Sequence, residues 1–175
     1  MLLETLHRTG SLICHQFPQR SLFLYHQSFV CARDLGIYFG AFLGLVFLLK
    51  YRRPEPGLAL SVFFLPLAID GITEYAGLQP SSNFARLWTG LYFGIGLTLL
   101  LAGIATRDLE QKPLPPLAYI LSFALSILIL PLFYTSSLFL FSLLNTVSFI
   151  SLLGLTLTLV YLGFGAIHEG IKKPN

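Results

Sequence analysis

Charge is what this sequence has least of. Asp, Glu, Lys and Arg together make up 11% of its 175 residues, against about 25% in a typical soluble domain. So few charges cannot cover the surface of a water-soluble fold of this size, which excludes an ordinary cytosolic enzyme. Disorder is excluded by the same scarcity, because a disordered chain combines low hydrophobicity with high charge. Two cysteines are too few for a disulfide-rich secreted mini-protein. Glycine-rich phosphate loops, His-Glu-x-x-His and nucleophile elbows are missing. No nucleic-acid-binding module is visible, so nucleic acid is not an expected partner. A cleavable signal sequence is not expected, because residues 1–10 carry Glu4, His7 and Arg8 where an apolar core would lie.

What the chain has is apolar: 55% of it is hydrophobic, with 16 Phe and 8 Tyr, and its mean hydropathy is +0.75. The expected partner is therefore the lipid bilayer. The expected fold class is all-α, a polytopic helical membrane bundle of about five transmembrane helices plus an interfacial N-terminal segment. Helices are required because the bilayer core offers no water to unpaired backbone groups, and barrel-type alternation is absent.

The charges punctuate the spans. A charge-free run of 15 residues at 35–49 is closed by Lys50, Arg52 and Arg53. A second run begins at Gly57 and continues in helical rhythm through Asp70 and Glu74. A third gives 20 uncharged residues at 87–106, and between Lys112 and Glu169 lie 56 residues without formal charge. One crossing of a core about 30 Å thick takes roughly 20 residues, so that stretch holds two spans. Pro131, Tyr134, Thr135, Ser136 and Ser137 mark the turn between them. The expected spans are about 35–50, 57–77, 86–106, 115–133 and 138–167. The last exceeds what a crossing needs, which predicts tilt or an interruption near Asn145. Residues 1–33 form the expected extracytoplasmic, interfacial segment, and 34–175 the membrane domain.

Orientation follows from the basic residues. Lys50, Arg52, Arg53, Arg107, Lys112, Lys172 and Lys173 fall on one side, and Arg8, Arg20, Arg33 and Arg86 on the other. The richer side faces the cytoplasm, which puts the N-terminus outside and the C-terminus inside the plasma membrane. The Lys50, Arg52, Arg53 cluster and Lys172, Lys173 would meet anionic headgroups, which accounts for the net charge of +3.

Polar chemistry gathers in the first half of the chain. Cys14-His15-Gln16 is followed by Arg20-Ser21, and then by Cys31-Ala32-Arg33-Asp34-Leu35-Gly36-Ile37-Tyr38-Phe39-Gly40. This pattern resembles the small predicted integral membrane proteins grouped as a domain of unknown function, whose signature reads C-H-Q, then R-S, then C-A-R-C-x-G-I-Y-x-G. The resemblance continues at Asp70-Gly71, Ser81-Ser82-Asn83, Arg86 and Gly90, over roughly residues 11 to 96. It implies a membrane protein and no particular activity. Asp34 stands where the signature has its second cysteine.

Cys14, His15, Cys31 and Asp34 admit two readings. Together they offer zinc two thiolates, an imidazole and a carboxylate, with His26 as a substitute. Alternatively Cys14 and Cys31 close a disulfide loop in an oxidising compartment, for about 3 kcal/mol of stabilisation. A catalytic cysteine is the least expected of the uses.

Asp70 and Glu74, four apart, share one helix face in the second span. Carboxylates in a membrane segment are costly and face partners; Arg33 and Arg86, each at the outer end of a span, are the expected ones. Ser81, Ser82 and Asn83 form a polar link able to cap the third span or to line the same pocket. With Arg20, these residues compose a polar cluster at the outer interface. It serves either as an acid/base, cation or anion site or as an ion-pair network that fixes helix packing.

Gly36, Gly40 and Gly44 repeat every four residues, and Gly90 and Gly94 do likewise. Such stripes let helix backbones approach closely, so the first and third spans are expected to pack together. Ala32-Arg33 with Gly36 and Gly40 also echoes Ala85-Arg86 with Gly90 and Gly94. The echo marks either a parallel repeat or shared packing demands.

Three uses fit this sequence. The first is a non-catalytic membrane component that packs against a membrane protein partner or a second copy. The second is a metal-assisted enzyme acting on a lipid or headgroup. The third is a small transporter.

Overall fold

The computed structural model describes residues 18–22, 27–50, 58–105, 114–135 and 138–172. Five α-helices run through them: α1 (Ala32–Lys50), α2 (Leu65–Tyr75), α3 (Asn83–Ala105), α4 (Pro116–Thr135) and α5 (Leu138–Lys172). Short 3-10 turns occupy Pro18–Arg20 and Leu58–Phe63, and no β-sheet forms among the described residues. By length and apolarity, α1, α3, α4 and α5 can each cross a membrane, which makes four such helices among the described residues.

The pair α1 and α3 forms the largest interface of the bundle, and glycine is the reason. A Cβ on Gly36 would strike the Leu87 carbonyl, and one on Gly40 the Leu91 carbonyl. The relation is reciprocal: a Cβ on Gly90 would strike the Arg33 carbonyl, and one on Gly94 the Ile37 carbonyl. Contacts rise in step along both helices, so α1 and α3 are parallel and related by a local two-fold. Gly36 corresponds to Gly90, Gly40 to Gly94, and Gly44 to Thr98. Where the third glycine of α3 would fall, the Thr98 hydroxyl donates to the Ala41 carbonyl across the interface at 3.1 Å. Leu35, Leu87, Leu91 and Ile95 are fully buried beside the seam.

Parallel packing forces the chain back along the height of the pair, and 58–75 makes that return. The sequence predicts one helical span over 57–77 with Pro66 marking a kink; the structure has a 3-10 turn and an α-helix that meet at Phe64. Pro66, in the first turn of α2, lacks an N–H, so it suits a helix start and cannot extend a ladder from upstream. Phe63 is anchored deep, its ring over Gly96 and 4.7 Å from that of Tyr92. Gly77, at φ +68°, ends α2, and the Leu78 N–H reaches back to the Thr73 carbonyl at 3.0 Å.

α4 runs antiparallel to α3, with Trp88 Nε1 donating to Ser126 Oγ at 3.0 Å, and its Phe133 ring meets Phe39 of α1 edge-on at 5.3 Å. Its helix continues through Pro131 to Thr135, so Pro131, Tyr134 and Thr135, expected at a turn, are helical; Ser136 and Ser137 lie outside the described residues. The interruption expected near Asn145 is absent. α5 runs unbroken for 35 residues, because the Asn145 side chain donates within its own helix, to the Phe141 carbonyl at 2.8 Å. At about 1.5 Å per residue α5 far exceeds a 30 Å core.

Candidate functional site

The polar cluster lies where α1 and α3 begin and α2 ends. α1 starts at Ala32 and α3 at Asn83, each three residues before the expected span. Arg33 and Arg86 are therefore helical residues on neighbouring parallel helices. Between them α2 delivers Asp70 and Glu74 from one face.

Arg33 Nη2 donates to Asp70 Oδ2 at 2.5 Å and to Glu74 Oε2 at 3.1 Å. Arg86 Nη2 pairs closely with Glu74 Oε1, and Arg20 Nη2 lies 3.5 Å from the same oxygen. The Ser81 hydroxyl donates to Asp70 Oδ1 at 2.5 Å. Burial is substantial: the Arg86 side chain is 9% exposed, Asp70 12% and Glu74 19%, whereas Arg20 at 51% closes the outer edge. Arg33 Nε is buried without an acceptor.

A second layer fixes the Arg86 side chain and the N-terminal strand of chain. Arg86 Nη1 reaches Asn83 Oδ1 at 3.4 Å, and Asn83 Nδ2 donates to the Ser21 carbonyl at 3.1 Å. Ser21 is itself held by Gln27 at 3.2 Å, and Leu22 and Ser28 bond to each other through backbone and hydroxyl. Ser82 caps α3, its hydroxyl accepting the Ala85 N–H at 3.1 Å.

Cys31 stands one residue before α1, and its carbonyl accepts the first helical bond, from Leu35 at 2.9 Å. Its thiol donates to Asp34 Oδ2 at 3.2 Å. Asp34 lies in the first turn of α1, where a carboxylate complements the positive helix end. That is a local reason for an acid where the resembled signature has cysteine. Cys14 and His15 lie outside the described residues, so zinc and disulfide readings at Cys14 and Cys31 are not tested. Among the described residues, no three of His, Cys, Asp and Glu gather as a metal set.

The structure thus brings Arg20, Arg33, Asp70, Glu74, Asn83 and Arg86 into one connected cluster, with Ser82 beside it as a cap. Cys31 and Asp34 pair separately. Ser81, expected from the polar link it shares with Ser82 and Asn83, joins the cluster through Asp70, whereas the Ser21 carbonyl is part of the arrangement without having been singled out from sequence. The Ser21 carbonyl had no such signal.

Comparison with known proteins now carries weight. Residues 14–100 match the family model described as "Predicted membrane protein (DUF2085)". An uncharacterized protein of Methanocaldococcus jannaschii is 38% identical over 114 residues, covering 61% of this chain and 72% of that protein. The chain belongs to this family. An uncharacterized protein of Methanothermobacter thermautotrophicus is 41% identical over 93 residues, covering 50% of this chain and 83% of that one. No solved structure matches. The family segment ends within α3 and contains every member of the cluster, whereas α4 and α5 lie beyond it.

Proposed function

We propose that the protein is a non-catalytic component of the plasma membrane whose outer polar cluster locks the packing of its helices. The observation that carries this reading is closure of the cluster. Both oxygens of Glu74 and both of Asp70 are engaged by guanidinium or hydroxyl donors. Carboxylates so committed are poor general bases and poor cation ligands, because each would first have to leave an ion pair held away from water.

The reading includes about five crossings, with the N-terminus outside. The return of 58–75 supports the fifth. Six 3-10 residues and eleven α residues rise about 28 Å at roughly 2.0 and 1.5 Å per residue, close to one core thickness. The basic loops favour this orientation. Since the glycine stripes are occupied within the chain, a protein partner or a second copy would meet the outward faces of α2 and α4.

A double-mutant cycle tests the lock. Glu74→Gln leaves Arg86 buried without its counter-charge and lowers unfolding free energy by about 3 kcal/mol. The coupling between Glu74→Gln and Arg86→Gln exceeds about 1 kcal/mol. Coupling near zero in detergent unfolding refutes the lock.

The second reading, a metal-assisted enzyme acting on a lipid or headgroup, is favoured by the approach of Cys31 to Asp34. Elemental analysis with thiol counting tests it: stoichiometric zinc supports a metal site, and metal-free protein with no titratable thiol supports the Cys14–Cys31 disulfide.

A further inference from the structure

A groove opens beside the ion-pair cluster, between α2, the turn after it and the start of α3. Its cavity volume is about 520 Å³, within the range of about 300–1,000 Å³ usual for small-molecule sites. One wall is apolar, built from Leu65, Pro66, Ile69 and Trp88. Leu65 and Ile69 are also more than half exposed on the outside of α2, so this wall is continuous with the hydrocarbon that surrounds the bundle. The other end is polar and carries Asp70, Thr73, Gln79, Ser81, Ser82 and Thr89.

Three of the hydroxyls at that polar end turn their hydrogens away from the groove. The Thr73 hydroxyl donates to the Ile69 carbonyl at 2.9 Å, the Ser81 hydroxyl to Asp70 at 2.5 Å and the Thr89 hydroxyl to the Ala85 carbonyl at 2.9 Å. With these hydrogens committed inward, Thr73, Ser81 and Thr89 offer the groove lone pairs beside the Asp70 carboxylate, and the Gln79 amide and the Ser82 hydroxyl add donors at the rim. Asp70 is the only formally charged residue of the lining. A headgroup that brings donors fits this end. One that brings further negative charge and no donor for Asp70 does not.

We infer that the groove binds one membrane lipid whose headgroup carries amine or sugar hydroxyl donors, its head at Asp70 and Thr73 and its chain along Leu65, Ile69 and Trp88. Bilayer-facing entry supplies the chain, and the position beside the outer ends of α1 and α3 supplies the head at interfacial depth. The site shares Asp70 with the packing lock: each carboxylate oxygen keeps a second lone pair for a headgroup donor while Arg33 and Ser81 stay bound, and Thr73 and Ala85, the residues varied below, lie outside the ion-pair cluster.

Native mass spectrometry of the intact protein, released from nanodiscs of equimolar phosphatidylethanolamine, phosphatidylcholine, glucosyl diacylglycerol and phosphatidic acid, tests the site. Phosphatidylcholine is the decisive control, because it matches phosphatidylethanolamine in charge and lacks the N–H donors. The expected result is retention of one phosphatidylethanolamine or glucosyl lipid about tenfold over phosphatidylcholine, the value of one charge-assisted hydrogen bond. Which of the two dominates identifies the source of the donors. Ala85→Phe, which puts a ring into the groove from α3, abolishes that retention. Thr73→Val, a near-isosteric change that removes one acceptor, reduces the preference. Equal retention of all four lipids, or a preference untouched by both variants, overturns the inference and leaves annular lipid only.

Discussion

The parallel glycine seam makes the sharpest stability prediction. Placing alanine at Gly40 sets its Cβ against the carbonyl of Leu91, with the Leu91 carbonyl carbon 2.8 Å and the Cα 2.9 Å away. Carbon atoms rest at about 3.5–4.0 Å, and everything met is backbone, so no side chain can swing aside. The two helices must separate by the order of 1 Å, at the upper end of the overpacking cost of about 1–3 kcal/mol. Better helix propensity returns up to about 1 kcal/mol, so Gly40→Ala loses about 2 kcal/mol net. Gly71→Ala is the matched control. Gly71 is helical too, nothing lies within 4 Å of its Cβ position, and alanine there gains up to about 1 kcal/mol. The assay is reversible unfolding in mixed micelles, followed by the fluorescence of Trp88, the single tryptophan. A difference near 3 kcal/mol between the two alanine variants is expected from these costs. Gly94→Ala repeats the Gly40 effect at its two-fold counterpart. The double variant falls short of the sum by more than about 0.5 kcal/mol, because one separation relieves both clashes. If Gly40→Ala proves as stable as Gly71→Ala, the close parallel seam is wrong.

Two further substitutions probe the return segment and the seam. Phe63 is 1% exposed and fits against glycine, so Phe63→Ala costs about 3–5 kcal/mol; a loss below 1 kcal/mol in the same assay would mean that 58–63 does not dock on α3. Thr98→Val keeps the shape and removes the bond to Ala41, and should cost about 0.6 kcal/mol, the average for such bonds in membranes. A gain in stability would show that the hydroxyl is satisfied within α3 alone, through Gly94.

Helical membrane architecture was legible because four apolar runs are long enough to announce themselves. Pro66 marked a kink in the second span, but not that the chain before Phe64 is 3-10, because a 3-10 turn and an α-helix draw on the same apolar composition and differ only in which carbonyl each N–H finds. Helix starts were read three residues late for an instructive reason. Arg33 and Arg86 look like charges outside a span, and their right to sit inside one comes from Asp70 and Glu74, 37 and 12 residues distant. The carboxylate pair itself was visible from its spacing of four. Which guanidinium takes which oxygen depends on the depth at which α2 docks, and that depth is set by Phe63 on Gly96. The bond from Asn83 to the Ser21 carbonyl spans 62 residues between two ordinary polar groups, and no local pattern encodes it.

The charges that α1, α2 and α3 bring to the cluster run against their own helix dipoles. Arg33 and Arg86 sit in the first turns of α1 and α3, at the positive ends of two macrodipoles. Glu74 sits in the last turn of α2, at its negative end, with Asp70 one turn before it at mid-helix. By local rules each placement at a helix end costs about 0.3–1 kcal/mol where exposed, and more where screening is weak. The conflict resolves only when α2 returns antiparallel between the ends of α1 and α3, because the carboxylates then face two guanidiniums and two positive helix ends at once. A reversed α2 would carry both carboxylates away from the guanidiniums and leave buried charges without partners, at a cost of several kcal/mol each. Local frustration therefore selects this direction for α2, in an arrangement where the glycine seam sets how close α1 and α3 lie and the ion pairs set where the returning chain must stop.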